Sequence, residues 1–186
     1  MSDASCSMIA GRPLEGAGGV LVALQGPAFP PPRPSVLLRA GRPADVAELE
    51  ALERRAFTHD RIARRSFVRF LASPGASLVV AEGDGALCGY ALVLFRARSP
   101  LARLYSIAVD VKHAGRRIGS RLLRAAEDAA RQRGSQAMRL EVREDNMSAR
   151  NLYRASGFRF IGRLAAYCPD GRDALRLQKP LDRQRG

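Results

Sequence analysis

The chain has 186 residues, 46% of them hydrophobic and 26% charged, enough for one domain with a substantial core and too few for two comfortable ones. No apolar run approaches the roughly 18–20 residues of a membrane-spanning helix, which excludes that class of protein. The net charge of +13, carried almost wholly by arginine with lysine only at Lys112 and Lys179, predicts an anionic partner: nucleic acid, an acidic peptide or a phosphorylated cofactor.

Residues 1–35 are rich in Gly, Ala, Ser and Pro and predict a disordered extension ending in the stiff segment PAFPPPRP. With no basic segment ahead of the short apolar run GGVLVAL, no cleaved leader is expected. The folded domain is expected over 36–182. VLLRA (36–40) reads as a strand and ADVAELEALERRAF (44–57) as a helix, with Val46, Leu49, Leu52 and Phe57 near helical spacing. A second, very basic helix follows over 61–73, stopped by Pro74 and Gly75. LVVAE, the turn GDGA and LCGYALVLFRA give a hairpin around 78–97, and LARLYSIAV (101–109) is a further strand.

The clearest helix spans 118–133. Ile118, Leu122, Leu123, Ala126 and Ala130 form one apolar stripe, and Gly134 closes it. MRLEV (138–142) is a strand, 147–156 a helix with Gly157 just past its end, and FRFIGRL and ALRLQK are the last two strands. The order β-α-α-β-β-β-α-β-α-β-β describes a single α/β or α+β domain: a mixed central sheet with about four helices on its two faces. Cys6, Cys88 and Cys168 are odd in number and form no CxxC, the pattern of reduced thiols in a cytoplasmic protein. His59 and His113 have no ligand-spaced companions, so no metal site is expected.

Between strand 101–109 and helix 118–133 lies HAGRRIGSRLL. A glycine-containing loop opening into a helix offers backbone N–H groups and the positive end of the helix dipole, which is an anion site. The same segment also reads as a tight strand-to-helix turn with solvated arginines.

LYSIAVDVKHAGRRIGSRLLRAAEDAARQRG, then LEVREDNMSARNLYRASGF, and YCPDGRDALRL near the end resemble the GNAT superfamily of acetyl-CoA-dependent N-acetyltransferases. Within it the chain is most similar to bacterial ribosomal-protein alanine acetyltransferases and their relatives, over about residues 36–181. The resemblance implies acetyl-CoA as co-substrate. Its pyrophosphate would be held by Gly115, Arg116, Arg117, Ile118, Gly119 and Ser120, and its pantetheine arm by the backbone of Ile107 and Val109. Asn146 matches an asparagine beside the cofactor, and is equally a good helix N-cap. Two positions depart from the family's loop: Ala114 stands where a basic residue is usual, and Arg117 where a glycine is. If the second position requires φ > 0, a non-glycine residue there is strained by on the order of 1 kcal/mol.

Amide formation needs a neutral amine and an exit for a thiolate. An α-amine with pKa ~8 is about one-tenth neutral at pH 7, whereas lysine near ~10.4 is neutral in roughly one molecule of 2,500. The resemblance makes Glu141 the base and Tyr153 the acid beside the sulfur, and Tyr167 a substrate contact. Other readings of the same residues stay open: Glu141 pairing with Arg139, Arg143 or a neighbouring strand, Tyr153 as a core residue, Tyr167 as a brace for its loop. Cys168 replaces the second aromatic of the family's pair beside Tyr167. The expected activity is direct transfer of acetyl to a protein N-terminal amine. The alternatives are a lysine or small-amine acceptor, a non-catalytic acyl-CoA sensor, and a basic module binding RNA or an acidic partner. Against the RNA reading, only 6% of residues are aromatic.

Overall fold

A computed structural model of the protein describes residues 36–57, 61–83 and 85–181. The proline-rich extension and Thr58 to Asp60 lie outside the described residues. Seven strands form one mixed sheet: β1 (Leu37–Ala40), β2 (Ala76–Gly83), β3 (Ala86–Phe95), β4 (Leu101–Val109), β5 (Ala137–Arg143), β6 (Arg159–Leu164) and β7 (Ala174–Pro180). Their spatial order is β1-β2-β3-β4-β5-β7-β6. The pair β4–β5 is parallel and the other neighbours are antiparallel. Helices α1 (Val46–Ala56) and α2 (Arg64–Ala72) pack on one face, α3 (Ile118–Gln132) and α4 (Met147–Ala155) on the other. The element order expected from the sequence is the order found.

Each face has its own apolar core, and the pleat decides which residues join which. On β5, Met138, Leu140 and Val142 enter the core under α3 and α4, so Arg139 and Glu141 point to the α1/α2 side. On β4 the parity changes midway. Ala102 and Leu104 share the α3 core with Ile107 and Val109, while Tyr105 and Ala108 join the α1/α2 core. The register against β3 slips between Leu92↔Ser106 and Val93↔Leu104, leaving Tyr105 as the extra residue of a β-bulge.

The helices are shorter than their apolar patterns suggested. Pro43 opens a 3-10 turn, Pro43–Asp45, and the Asp45 carboxylate accepts from the Arg42 N–H at 2.7 Å and from the Arg39 guanidinium at 2.8 Å, so α1 starts only at Val46. Phe57 is already extended, and so is Ala63 ahead of α2. Helix α4 ends in a Schellman motif. Gly157 sits at φ +89°, its N–H donates to the Arg154 carbonyl at 3.0 Å, and the Phe158 N–H donates to that of Tyr153 at 3.0 Å. The apolar contact belonging to that motif is the tilted pair of Tyr153 and Phe158 rings, 5.7 Å apart.

Under α1 lies a buried polar chain. Glu53, 1% exposed, accepts from the Tyr90 hydroxyl at 2.5 Å and from the Ile62 N–H at 2.6 Å; Tyr90 in turn bonds Ser106 Oγ at 2.8 Å. Burial pushes the Glu53 carboxyl up to about 7, with the Tyr90 and Ile62 hydrogen bonds pulling the other way. The folded protein therefore keeps, between about pH 4.5 and 7, a proton that the unfolded chain gives up. That stabilisation is complete below the unfolded value and is lost as pH rises through the folded one. The span is on the order of 3 kcal/mol. Denaturation of the wild-type protein should show stability falling between pH 5 and 8, and Glu53→Gln should flatten the fall. Parallel pH profiles for the two proteins would contradict this account.

Candidate active site

The parallel pair β4–β5 lasts for three residues: Leu101↔Ala137, Ala102↔Met138 and Arg103↔Arg139. Beyond Arg103 the two strands part, and no described strand pairs with the β5-facing edge of β4 from Leu104 to Val109. Backbone N–H and C=O groups on such an edge are available to an extended ligand. Ile107 and Val109, expected to hold pantetheine, lie on this stretch, buried and antiparallel to Ala91 and Gly89 on the other side.

Where β4 ends, a cleft of about 260 Å³ opens between the start of α3 and the start of α4. Val109, His113, Gly115, Arg117, Gly119 and Ser120 line it on one side, Ser148 and Leu152 on the other. Just past the end of β4, the Asp110 carboxylate accepts from the Lys112 N–H at 3.0 Å and from Arg55 Nε at 2.8 Å. Helix α3 has no side-chain N-cap and no acidic residue in its first turn, so its leading amides face the cleft with the dipole's positive end uncompensated. By contrast α4 is capped by Asn146, whose Oδ1 accepts from the Ala149 N–H at 3.0 Å. The Nδ1 atom of His113 is buried and has no hydrogen-bond partner among the described residues, a polar atom left for a ligand to satisfy. This donor set fits a pyrophosphate. Gly115 lies at φ +77° and Arg117 at φ +57°, so the position where the family has glycine does demand a left-handed backbone here.

A second cleft, of about 400 Å³, opens on the α1/α2 side of the sheet beside the β4–β5 junction. Leu94, Phe95, Arg96, Arg103, Arg139, Glu141, Tyr167 and Arg176 are among its walls. Glu141 is 3% exposed and held from both sides: Arg103 Nε donates to Oε2 and Arg176 Nε to Oε1, each at 2.9 Å. Its partners therefore come from neighbouring strands, Arg176 directly opposite on β7, and not from Arg139 or Arg143 on its own strand. Two guanidinium bonds use one site on each oxygen, and a carboxylate has about four such sites. Arg103 also reaches the Tyr167 hydroxyl at 2.8 Å, which puts Tyr167 in the wall of this cleft and not merely on its loop. Burial pushes the Tyr167 phenol above its ordinary value, with Arg103 pulling the other way. Cys168 turns inward, 2% exposed, against Ala174.

Among the expected residues, the structure thus gathers Gly115, Arg117, Ile118, Gly119 and Ser120 around one cleft and Glu141 and Tyr167 around the other. Arg116 is on the same loop but is not a wall residue of the cleft. Tyr153 is fully enclosed in the α3/α4 core, and it lines neither cleft. Arg103 and Arg176, which fix the glutamate, were not singled out from the sequence. The available signal was an arginine two residues into LARLYSIAV and another in ALRLQK, on the polar parity of their strands.

The sequence model of the acetyltransferase (GNAT) family matches residues 45–158. The chain is 38% identical over 140 residues to the N-alpha-acetyltransferase RimI of Mycobacterium tuberculosis, covering 73% of this chain and 87% of that protein. It is 32% identical over 155 residues to an N-alpha-acetyltransferase of Sulfurisphaera tokodaii, covering 77% and 92%. Among solved structures, the ribosomal-protein-S18-alanine N-acetyltransferase of Escherichia coli superposes with a TM-score of 0.71 at 24% identity, over 80% of this chain and 95% of that one. This last likeness concerns the fold.

The left-handed Arg117 carries a stability consequence. Glycine would relieve a strain of about 1–2 kcal/mol but add unfolded-state entropy, for a net gain of about 0.5–1 kcal/mol. Arg117→Gly should raise the unfolding midpoint by about 1–3 °C and the β-branched Arg117→Val should lower it, as read by calorimetry. A glycine variant less stable than wild type would contradict the strain.

Proposed function

The chain belongs to the GNAT family of N-acetyltransferases, and from that premise we propose that it transfers acetyl from acetyl-CoA to a protein N-terminal α-amine within a ternary complex. One observation carries the reading: β4 and β5 part beyond Arg103, with an uncapped helix N-terminus past the end of β4 and a buried glutamate on β5. The named N-alpha-acetyltransferase relatives favour an N-terminal acceptor.

In this reading the amides of Ile118, Gly119 and Ser120 hold the diphosphate, aided by Arg116 and Arg117, and the β4 edge at Ile107 and Val109 holds the pantetheine arm as an added strand. The co-substrate supplies an activated acyl group on a good leaving thiolate. Glu141, oriented by Arg103 and Arg176, uses its remaining lone pairs to take the ammonium proton, directly or through one water. Tyr153, enclosed in the α3/α4 core outside both clefts, is assigned the return of a proton to the departing sulfur on the family resemblance. A phenol suits that task because a thiol near ~8.5 needs only a weak acid. Tyr153 acts from a fixed place: the Schellman motif and the Phe158 ring leave it little freedom. Asn146 caps α4 and so sets the helix that carries it. Among the described residues no cysteine stands beside a histidine as a nucleophile in either cleft, in keeping with direct transfer.

Calorimetry should show acetyl-CoA binding, and Tyr153→Phe should lower kcat by about 10²-fold while leaving acetyl-CoA affinity within a few-fold of wild type. Glu141→Gln should cost a similar factor, and more at low pH, where less amine is neutral. A phenylalanine variant with full kcat at every pH would remove Tyr153 from the chemistry. A chain that ignored coenzyme A at millimolar concentration would remove the proposal itself.

A further inference from the structure

We propose that the α1/α2-side cleft selects amines whose first following residues are acidic, so that this chain acetylates N-termini of the type Ala-Asp-Glu in preference to neutral or basic ones. The inference rests on the reading of the chain as an N-terminal acetyltransferase and narrows its acceptor.

The charges in the cleft wall are unequal. Arg96, Arg103, Arg139 and Arg176 face one carboxylate, Glu141, which is shared by Arg103 and Arg176. Arg139 bonds the neutral amide oxygen of Gln178, at 3.1 Å from Nε and 2.9 Å from Nη2. Arg96 is exposed, and its guanidinium has no hydrogen-bond or ion-pair partner among the described residues. A few residues away the chain behaves differently. Around the β5–α4 and β6–β7 loops, Arg143, Arg163 and Arg172 are matched by Glu144, Asp145, Asp170 and Asp173. Arginine excess is therefore not a uniform coating of this part of the molecule. Here the wall of the cleft that holds the glutamate has four arginines to one carboxylate.

The cluster has two effects on an incoming amine. Carboxylates following the N-terminus can take bidentate bonds from Arg139 and Arg96, whose planar donors match a carboxylate fork. The guanidinium charges also disfavour the ammonium form of the amine and so favour the neutral nucleophile that attack requires. A lysine- or arginine-rich N-terminus gains neither and is repelled. At about 400 Å³ the cleft is in the ordinary size range of a ligand site, so the first residues of a peptide are the ones it can read. Among the wall arginines, Arg96 and Arg139 do not touch Glu141. They are specificity-determining residues, distinct from those that orient the glutamate.

The test compares initial rates on equal-length peptides beginning Ala-Asp-Glu, Ala-Ser-Gly and Ala-Arg-Lys, with free aspartate and glutamate as a separate arm. For wild type, kcat/KM for the acidic peptide should exceed that for the basic one by at least about tenfold near 50 mM salt, and the gap should narrow at 0.5 M. Arg96→Glu, at an exposed position, should reduce the acidic-to-basic ratio by at least about threefold, mainly through KM, and Arg139→Gln should do the same. Acetylation of the free amino acids as readily as the acidic peptide would show that the cleft reads carboxylate chemistry without the peptide, and would overturn the N-terminal acceptor. Equal rates on all three peptides, or a basic preference, would overturn charge selection and leave N-acetyltransfer standing. No turnover of any acceptor would overturn both.

Discussion

The architecture depends on two parallel strands that pair for three residues and then separate. The cause is visible in β4. The extra residue at Tyr105 bends the strand and reverses its inside-outside parity, so Ile107 and Val109 stay in the α3 core although they lie an odd number of residues from Leu104 and Ala102. A regular strand would keep Ser106 and Ala108 on that face and continue its ladder with β5. The separation costs several backbone hydrogen bonds, and it leaves an extended edge in the middle of a sheet whose remaining strands are paired. Such a gap is offset only by what surrounds it: a continuous core under α3 and α4 and a second under α1 and α2.

Much of this was readable from the chain. Periodicity placed all four helices and seven strands in order, because amphipathic stripes such as Ile118, Leu122, Leu123, Ala126 and Ala130 are the same residues that the fold buries. The alternation in MRLEV sets Glu141 on the face opposite Met138, Leu140 and Val142, and those three are the residues the fold buries under α3 and α4. Helix starts were less legible, since Asp45 and the extended Ala63 end apolar patterns through backbone geometry that composition does not carry. The partners of Glu141 were missed for a different reason. Arg103 and Arg176 belong to strands 38 and 35 residues away, and a pairing register cannot be deduced from strand sequences alone. Glu53 was missed although a signal existed: it sits four residues after Leu49, on the buried stripe of its helix. A charge on an apolar face is a sign of a buried network, here with Tyr90, Ser106 and the Ile62 amide.

Electrostatics divides the molecule by role. On the α3/α4 face the positive potential comes from backbone: amides at a helix start with no side-chain cap and no acidic residue in the first turn. On the α1/α2 face it comes from side chains, four guanidiniums around one glutamate. Backbone amides are fixed in place and suit a co-substrate whose diphosphate does not vary. Arginine side chains are longer and adaptable, and suit an acceptor that does. Helix α3 itself is tied down by the buried Glu127, which takes both of its oxygens to Lys179 of β7 and one to Arg131, so the helix that offers its N-terminus is anchored near its far end to the same sheet.

The central claim is that the strand gap and the helix start together form one binding surface. Backbone amide hydrogen exchange, resolved by residue with and without coenzyme A, tests it most directly. The account predicts new protection concentrated at residues 104–109 and 117–121, on both sides of the β4–α3 loop, with little change in β1 or β6. Saturating coenzyme A that left those amides exchanging at their free rates, or protected a different surface, would contradict it.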